Sequence, residues 1–487
     1  MSSKRWGRAE RTPKRIFNAA LLALVAVAFG ATASAAYAVR VNIVRQGAAP
    51  AGPLPAKVHY FKTIQAAVDA STHGDWVLVE AGVYDEEVKV LKAQSGIYIR
   101  GMDRNGVILD GQHKPAPGGS NGIEVYKANN VWIENLTARN FDRATSNGPG
   151  GNEIWWNGGA GSNKIGARGW YGRYLTAYDD GLNGGYGIFT NNETRGEWED
   201  IYASGFNDSG MYLGACHECA ARIDNAVMED NALGYSGSNS GGKLIIENSV
   251  FKHNTDGIAP NSENPGDGPP PQSGACRHLN PHNPLPKFGS TEIERCTIFR
   301  NNVVTENNNI NAPDNPSSGA APWGVGIELP GVYADLVEKN TITDNPTNGI
   351  LAFEYPNPFP PQEDTIYFQL SGNKIADNTF SGNGYVGGAF AGDVTMAGGL
   401  FGEHRSTNNC LSGNTFTAAT YPASIEGTWG CQNKTTPNPL LGLPAIEYLL
   451  ELQAVSEGRT PQAQPAPAPQ PTMPNPCEGV PTNPLCP

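Results

Sequence analysis

Short stretches of alternating apolar and polar residues recur along this chain. In Gly122-Ile123-Glu124-Val125-Tyr126 the alternation is typical of a half-buried β-strand. We therefore expect Ile123 and Val125 to point inward, with Glu124 and Tyr126 pointing outward. Gly326-Ile327-Glu328-Leu329 shows the same parity.

These stretches return at a nearly constant interval. Each begins with a glycine followed by an apolar residue: Gly187, Gly210, Gly234 and Gly257 are 23, 24 and 23 residues apart, and Gly326 and Gly349 are again 23 apart. A unit this short cannot bury a face alone, so such units must stack. The pattern predicts a solenoid of short strands.

A second signature lies between the glycines and reads apolar residue, acid, asparagine. It occurs at Ile133-Glu134-Asn135, Ile223-Asp224-Asn225, Ile246-Glu247-Asn248 and Ala376-Asp377-Asn378. Asparagines at one turn position of stacked units can bond to each other in a ladder. We expect such ladders along the turns.

The segment Asn254-Thr255-Asp256-Gly257 is similar to the active-site Asn-Thr-Asp of pectin-hydrolysing polygalacturonases. That family places a paired aspartate after the segment, whereas Asp179-Asp180 precedes it here, and the family's Gly-His-Gly and Arg-Ile-Lys segments are absent. Asn207-Asp208-Ser209-Gly210 and Asn345 to Gly349 precede their strands in the same way. We interpret Asn254 to Gly257 as a turn, where Asn and Asp bond their own backbone.

The entry to the repeats resembles the pectate-lyase-like superfamily. Phe61 to Ala70 is similar to its short capping helix, and Asp75 to Tyr84 to the first coil after it. The resemblance covers residues 58–432 and implies a right-handed parallel β-helix with an N-terminal capping helix. It is specific for the fold and carries little about the activity.

The N-terminal segment predicts export. A basic stretch precedes the apolar residues Ile16 to Phe29, and Ala33-Ser34-Ala35 has the small residues of a cleavage site, so we expect residues 1–35 to be a signal peptide. A membrane anchor is the alternative, but a span needs about 20 apolar residues. The formal charge of −13 argues against nucleic acid and anionic membranes as partners. We expect a secreted or cell-surface protein.

Eight cysteines in an exported chain predict disulfides. Proximity in the sequence favours four pairs: Cys216–Cys219, Cys276–Cys296, Cys410–Cys431 and Cys477–Cys486. Cys216-His217-Glu218-Cys219 has the spacing of a metal motif, but no second matching pair completes a zinc site. His278 and His282, beside Cys276 in the Pro-rich insertion Asn261–Lys287, leave metal binding open there.

The outward positions of the strands hold the candidate chemistry. The position two residues past each repeat glycine is occupied by Phe189, Tyr212, Ser236, Ala259, Glu328 and Leu351. Aromatic rings beside acids suit sugars, so we predict substrate contact by Phe189 and Tyr212. Asp208, Asp256 and Glu328 are the candidate catalytic carboxylates, since two such groups flanking a glycosidic bond support hydrolysis.

The reaction type stays open between hydrolase, lyase and epimerase. A lyase or epimerase would need a base and a group that neutralises a uronate carboxylate, such as calcium or arginine. No compact aspartate cluster is visible in the linear sequence, so no metal ligands and no cofactor are predicted, with calcium as the alternative. We expect a protein that contacts or modifies polysaccharide; the alternative is a non-catalytic surface or glycan-binding solenoid. No oligomeric state is predicted.

The C-terminal region divides into three parts. Leu443–Glu457 predicts a short helix, which we expect to cap the open end of the solenoid. Residues 461–487 form a Pro-rich tail: Pro461 to Pro476 reads as an extended linker, and Cys477 to Cys486 as a small disulfide loop.

Overall fold

The computed structural model describes residues 39–48, 55–146, 148–159, 165–262, 269–273, 276, 295–356, 367–398, 408–431 and 443–487. The predicted signal peptide lies outside the described residues, as do His278, His282 and most of the insertion that contains them. Within the described part, no helix has the length and apolar character needed to cross a lipid bilayer.

Parallel strands stack in three columns, and each complete coil adds one strand to each column. Stack A contains β1 (Val41–Val44), β2 (Val58–Phe61), β3 (Trp76–Val79), β6 (Tyr98–Gly101), β9 (Val131–Arg139), β11 (Ala167–Tyr178), β13 (Glu193–Glu199), β16 (Ala221–Asp224), β19 (Leu244–Glu247), β22 (Thr297–Arg300), β25 (Leu336–Glu338), β30 (Lys374–Ala376) and β33 (Cys410–Ser412).

Stack B continues each coil after a bend. It contains β4 (Gly82–Tyr84), β7 (Val107–Asp110), the C-terminal halves of β9 and β11, β14 (Tyr202–Ser204), β17 (Val227–Glu229), β20 (Val250–Lys252), β23 (Val303–Thr305), β26 (Thr341–Thr343) and β31 (Thr379–Ser381).

Stack C closes each coil and carries the repeat glycines. It contains β5 (Val88–Leu91), β8 (Asn121–Tyr126), β10 (Asn152–Asn157), β12 (Tyr186–Asn191), β15 (Ser209–Gly214), β18 (Leu233–Ser238), β21 (Asp256–Asn261), β24 (Val325–Pro330), β27 (Asn348–Phe353), β32 (Gly392–Ala397) and β34 (Thr420–Tyr421). The chain is a right-handed parallel β-helix, as the repeats and the resemblance implied. A short antiparallel pair, β28 (Tyr355–Pro356) with β29 (Tyr367–Phe368), lies beside it.

The predicted alternation of inward and outward residues is confirmed. Ile123 and Val125 are fully buried, whereas Glu124 and Tyr126 are partly exposed. Phe189, Tyr212 and Ser236 are consecutive register partners in stack C, so the position two residues past each glycine is one outward row. Asp256 is the first residue of β21 rather than a turn residue.

Asparagine ladders run along the turns, but of the four signature asparagines only Asn378 belongs to one. Asn135, Asn225 and Asn248 have left-handed backbones and donate to groups other than asparagine. One ladder comprises Asn231, Asn254, Asn307, Asn345 and Asn383, each donating from Nδ2 to Oδ1 of the next at 2.9–3.0 Å. Asn254 therefore lies in a turn, where it is one member of the asparagine ladder. Asn378 belongs to a second ladder, in which it donates to Asn414. The strand register aligns Asn248 with Asp377, one residue before Asn378, and both of these residues have a left-handed backbone.

Short helices cover both ends of the solenoid. Helix α1 (Ile64–Asp69) begins after Thr63, whose hydroxyl caps the Ala66 amide, and it buries Ile64 and Val68 against the first coil. At the other end, α2 (Ile425–Thr428) and the adjacent Trp429 bury apolar side chains in the last coil. All four predicted disulfide pairs are present.

Helix α3 has the predicted bounds, Leu443–Glu457, but the predicted position at the open end was wrong. Its Ala445, Tyr448 and Leu452 pack against Val325, Leu351, Phe353 and Ala397 of stack C. These outward side chains are apolar on three consecutive coils. They give α3 an apolar surface to pack against, whereas the end of the solenoid is already covered by α2.

The Pro-rich tail is docked on the solenoid and returns towards its N-terminal end. Asn105 Oδ1 accepts from the Gln470 amide at 2.9 Å, and Asn135 Oδ1 accepts from the Met473 amide at 2.9 Å. Arg100 Nη1 donates to the Glu478 carbonyl at 2.7 Å. The terminal disulfide loop then packs against Val41, Val58, Trp76 and Leu78 in the first coils.

Candidate active site and acidic turn cluster

The two predicted sugar-contact residues belong to a packed aromatic cluster. The Phe189 ring stacks on Trp155 with centroids 5.1 Å apart, and the Tyr212 ring meets it edge-on at 5.0 Å. Tyr186 lies within 4.9 Å of both rings. Only 9% of Phe189 and 6% of Tyr212 is exposed, so neither offers a free ring face. Sequence parity placed them outward, but it could not show that neighbouring residues cover them.

Two of the three predicted catalytic carboxyls come together. Asp256 and Glu328 lie on the neighbouring strands β21 and β24, and both are buried. Burial raises the pKa of Glu328 to about 7. Burial, and then the neighbouring Glu328 carboxyl, raise the pKa of Asp256 well above its usual value. The backbone amides of Ile258 and Gly257 favour the ionised form of Asp256, but they do not outweigh burial and the neighbouring carboxyl.

Glu328 lines a cavity of about 350 Å³ between stack C and α3. Leu233, Ala259 and Asn261 form its floor on the strands. Its other walls include the α3 residues Ile446, Leu449, Leu450 and Gln453 and the loop residues Ser317, Ala320, Ala321 and Pro322. The cavity thus combines an apolar lining with one carboxyl, the mixture found in small-ligand sites.

Asp208 is separate from this pair. It lies just before β15, two coils away from β21, and accepts a hydrogen bond from Asn315 Nδ2 at 3.0 Å. Arg143 Nη2 is 3.7 Å from its Oδ2, and the Arg143 guanidinium also lies over the Tyr186 ring at 5.2 Å. Coils are about 4.8 Å apart, so two coil spacings separate Asp208 from Asp256 and the two carboxyls are not direct neighbours.

A third group of titratable residues lies in turns between stacks B and C, and the sequence interpretation missed it. His113 Nδ1 is 3.2 Å from each oxygen of Asp142 and 4.0 Å from Asp179 Oδ2. His113 Nε2 is 2.7 Å from Asp180 Oδ1. We call His113, Asp142, Asp179 and Asp180 the turn cluster.

The register of stack B explains why the turn cluster assembles. Asp110, Arg139 and Tyr178 are direct partners on three consecutive coils. His113 and Asp142 each follow their partner position by three residues, and Asp179 follows by one. The coils here differ in length, so the 23-residue period gave no signal; the adjacent acids Asp179-Asp180 were the only visible trace.

Burial strongly perturbs the acids around the turn cluster. It raises the pKa of Asp179 well above its usual value, and the neighbouring Asp142 adds to that effect. Glu153, on β10, is fully buried, and burial together with Asp179 raises its pKa well above the usual value. For His113, burial lowers the pKa, but hydrogen bonds to Asp180 and Asp142 outweigh it, and the net shift is upward.

Solved structures with a similar fold include several enzymes from bacteria. The mannuronan C-5 epimerase AlgE4 A-module of Azotobacter vinelandii is 15% identical over 72% of this chain and 90% of that chain, with a TM-score of 0.40. An alginate lyase from a Paenibacillus species is 14% identical over 74% of this chain and 93% of that chain, with a TM-score of 0.35. Pectate lyase Pel9A is 12% identical over 78% and 77%, with a TM-score of 0.34.

No family model matches the chain, and no curated protein is similar to it. The structural similarities are too distant to assign a substrate or a catalytic residue, because one fold hosts many activities. Function has to be argued from the side chains of this chain.

Proposed function

We propose that this protein is a glycan-modifying enzyme that uses Glu328 to transfer a proton inside the cavity beneath α3. The observation that carries the proposal is the pairing of a cavity-lining carboxyl, with a pKa of about 7, and a second buried carboxyl on the next strand. A group that titrates near neutral pH can both donate and accept a proton under ordinary conditions.

Asp256 and Glu328 have different roles in this proposal. Glu328 lines the cavity and would meet the substrate. Asp256 is fully buried on the neighbouring strand and does not line the cavity, and burial beside another carboxyl raises its pKa well above the usual value. Asp256 is therefore the positioning residue that sets the proton affinity of Glu328, and Glu328 is the catalytic acid or base.

The substrate class follows from the shape and lining of the outward face. Equivalent outward positions recur every ~4.8 Å along the stack, which is close to the length of one sugar unit in a chain. The cavity lining includes apolar side chains, such as Leu233 and Ile446, and the amide groups of Asn261 and Gln453. A sugar ring likewise presents both C–H faces and hydroxyl groups.

The location proposed is outside the cytosol. Four disulfides among the described residues favour an oxidising compartment. They support the secreted or cell-surface expectation drawn from the N-terminal sequence.

A polysaccharide panel tests the proposal. Neutral and uronate polymers are incubated with the purified chain, and three products are scored: new reducing ends for hydrolysis, unsaturated ends for elimination, and deuterium uptake from D₂O for epimerisation. We expect one product class, reduced at least 100-fold in Glu328→Gln and at least tenfold in Asp256→Asn.

Glu218→Gln is the matched control. Glu218 is an exposed acid between Cys216 and Cys219 and does not line the cavity, so the change should leave activity intact. Retention of a polysaccharide without any product would favour the non-catalytic glycan-binding alternative. Product formed at the full rate by Glu328→Gln would remove Glu328 from the mechanism.

A further inference from the structure

We propose that His113, Asp142 and Asp179 bind one divalent transition-metal ion, a site separate from the cavity beneath α3. One ligand atom from each residue lies within 4.8 Å of the other two. Opposite ligands of an ion with bonds of about 2.0–2.4 Å are about 4–5 Å apart, so one ion can reach all three with small side-chain adjustments.

A buried oxygen without a partner points to the ligand. Asp179 is 1% exposed, and its Oδ2 has no hydrogen-bond partner among the described residues. That oxygen faces His113 Nδ1 at 4.0 Å. The other oxygen, Oδ1, accepts from the Gly181 amide at 2.7 Å, which fixes the orientation of the carboxylate.

The charge balance also favours a cation. Asp142, Asp179 and Glu153 are three buried carboxyls near one partly exposed histidine. The arginines of the adjoining segment are engaged elsewhere: Arg139 bonds to Asp110 at 2.7 Å, and Arg143 lies 3.7 Å from Asp208. A divalent ion would balance the negative charge that these carboxylates carry when ionised.

Asp180 orients the histidine for metal binding. Nε2 lies 2.7 Å from Asp180 Oδ1, so with a metal bound Nε2–H would donate to Asp180 and Nδ1 would exchange its proton for the ion on the side of Asp142 and Asp179. A carboxylate behind a histidine is the usual arrangement in metal sites, because it fixes the tautomer and makes the ring nitrogen a stronger donor. Asp180 is therefore a positioning residue outside the ligand set.

The donor set selects the class of ion. One imidazole nitrogen with two carboxylates suits zinc or manganese, whereas calcium takes oxygen ligands only. The His113 side chain is 35% exposed, which provides an entry path from solvent.

Metal titration of the chelator-treated full chain tests the site. Mn²⁺, Zn²⁺ and Ca²⁺ are titrated separately by calorimetry, and bound Mn²⁺ is examined by electron spin-echo spectroscopy for coupling to an imidazole nitrogen. We expect one equivalent of Mn²⁺ or Zn²⁺, at least 100-fold weaker binding in Asp179→Asn and Asp142→Asn, and about 10–100-fold weaker binding in Asp180→Asn.

The histidine is tested by His113→Asn, because asparagine tolerates the left-handed backbone at this position, where φ is +53°. It should abolish the nitrogen coupling, and the exposed His59→Asn should preserve it. Unchanged far-ultraviolet circular dichroism establishes that each variant is folded. Absence of stoichiometric Mn²⁺ and Zn²⁺ binding would overturn the proposal, as would binding that survives Asp179→Asn, or a Ca²⁺ preference that survives His113→Asn.

Discussion

Tyr448 Oη donates a 2.7 Å hydrogen bond to Asn348 Oδ1, which ties the middle of α3 to the outward face of β27. Both residues are buried. Asn348 Nδ2 donates to the Phe390 carbonyl at 2.8 Å, which orients the Asn348 amide with its oxygen towards Tyr448. This contact holds α3 above the cavity that Glu328 lines.

Removing the tyrosine hydroxyl should loosen α3. Tyr448→Phe leaves Asn348 Oδ1 buried without its donor, and we expect a loss of about 1–2 kcal/mol in the free energy of unfolding. Urea titration followed by fluorescence measures the change. Tyr385→Phe is the control, because Tyr385 is 59% exposed. Equal midpoints for the two variants would show that the hydrogen bond does not stabilise the docked helix.

Breaking one member of the asparagine ladder should weaken the stack. Asn307 donates to Asn345 Oδ1 at 3.0 Å and to the Phe251 carbonyl, and it accepts from Asn254. Asn307→Ala leaves several buried polar groups without hydrogen-bond partners, so we expect the free energy of unfolding from denaturant titration to fall by about 2–3 kcal/mol. Asn311→Ala, at an exposed position nearby, should change stability by less than about 0.5 kcal/mol. A loss of that small size in Asn307→Ala would contradict the structural role.

The stability of the folded protein should depend on the Glu328 carboxyl between pH 4.5 and 7. Burial raises the pKa of Glu328 from 4.5 to about 7, so within this range the folded protein keeps a proton that the unfolded chain has released. The free energy of unfolding contributed by this group is therefore full below pH 4.5 and falls as the pH rises towards 7, by a total on the order of 3 kcal/mol.

Glu328→Gln should flatten this dependence. The comparison is the change in urea midpoint between pH 5 and pH 8, measured in the wild-type protein and in the variant. Glu87→Gln, at an exposed position, should keep the wild-type dependence. The Asp256 carboxyl, with its pKa also raised, leaves part of the slope in the Glu328 variant. Identical slopes in all three proteins would rule out an elevated pKa at Glu328.

Deleting residues 461–487 should destabilise the N-terminal coils. The deletion uncovers Trp76 and Leu78 and removes the carbonyl groups that accept from Arg100 and Arg104. We expect the melting temperature to fall by about 5 °C or more, and protease cleavage to begin near the first coils. A Cys477→Ser/Cys486→Ser protein, which keeps the docked segment before the loop, should fall less. A truncated chain with the wild-type melting temperature would show that the docked tail does not stabilise the solenoid.

The sequence by itself determined the architecture of the solenoid. Inward parity at Ile123 and Val125, the repeat glycines and the turn at Asn254 all follow from local rules, because each parallel coil places equivalent residues directly above one another. The four disulfide pairs were predictable from proximity in the sequence, since partners such as Cys216 and Cys219 are close in the chain.

Only the tertiary structure decided which side chains meet and which are covered. Glu328 lies next to Asp256 because β21 and β24 are neighbouring strands. The two residues are 72 positions apart in the sequence because a long segment is inserted between these strands. His113 joins Asp142 and Asp179 across coils of unequal length, and α3 returns from the C-terminus to cover stack C. These relationships depend on insertion lengths and on competition between apolar surfaces, which a repeat pattern does not encode.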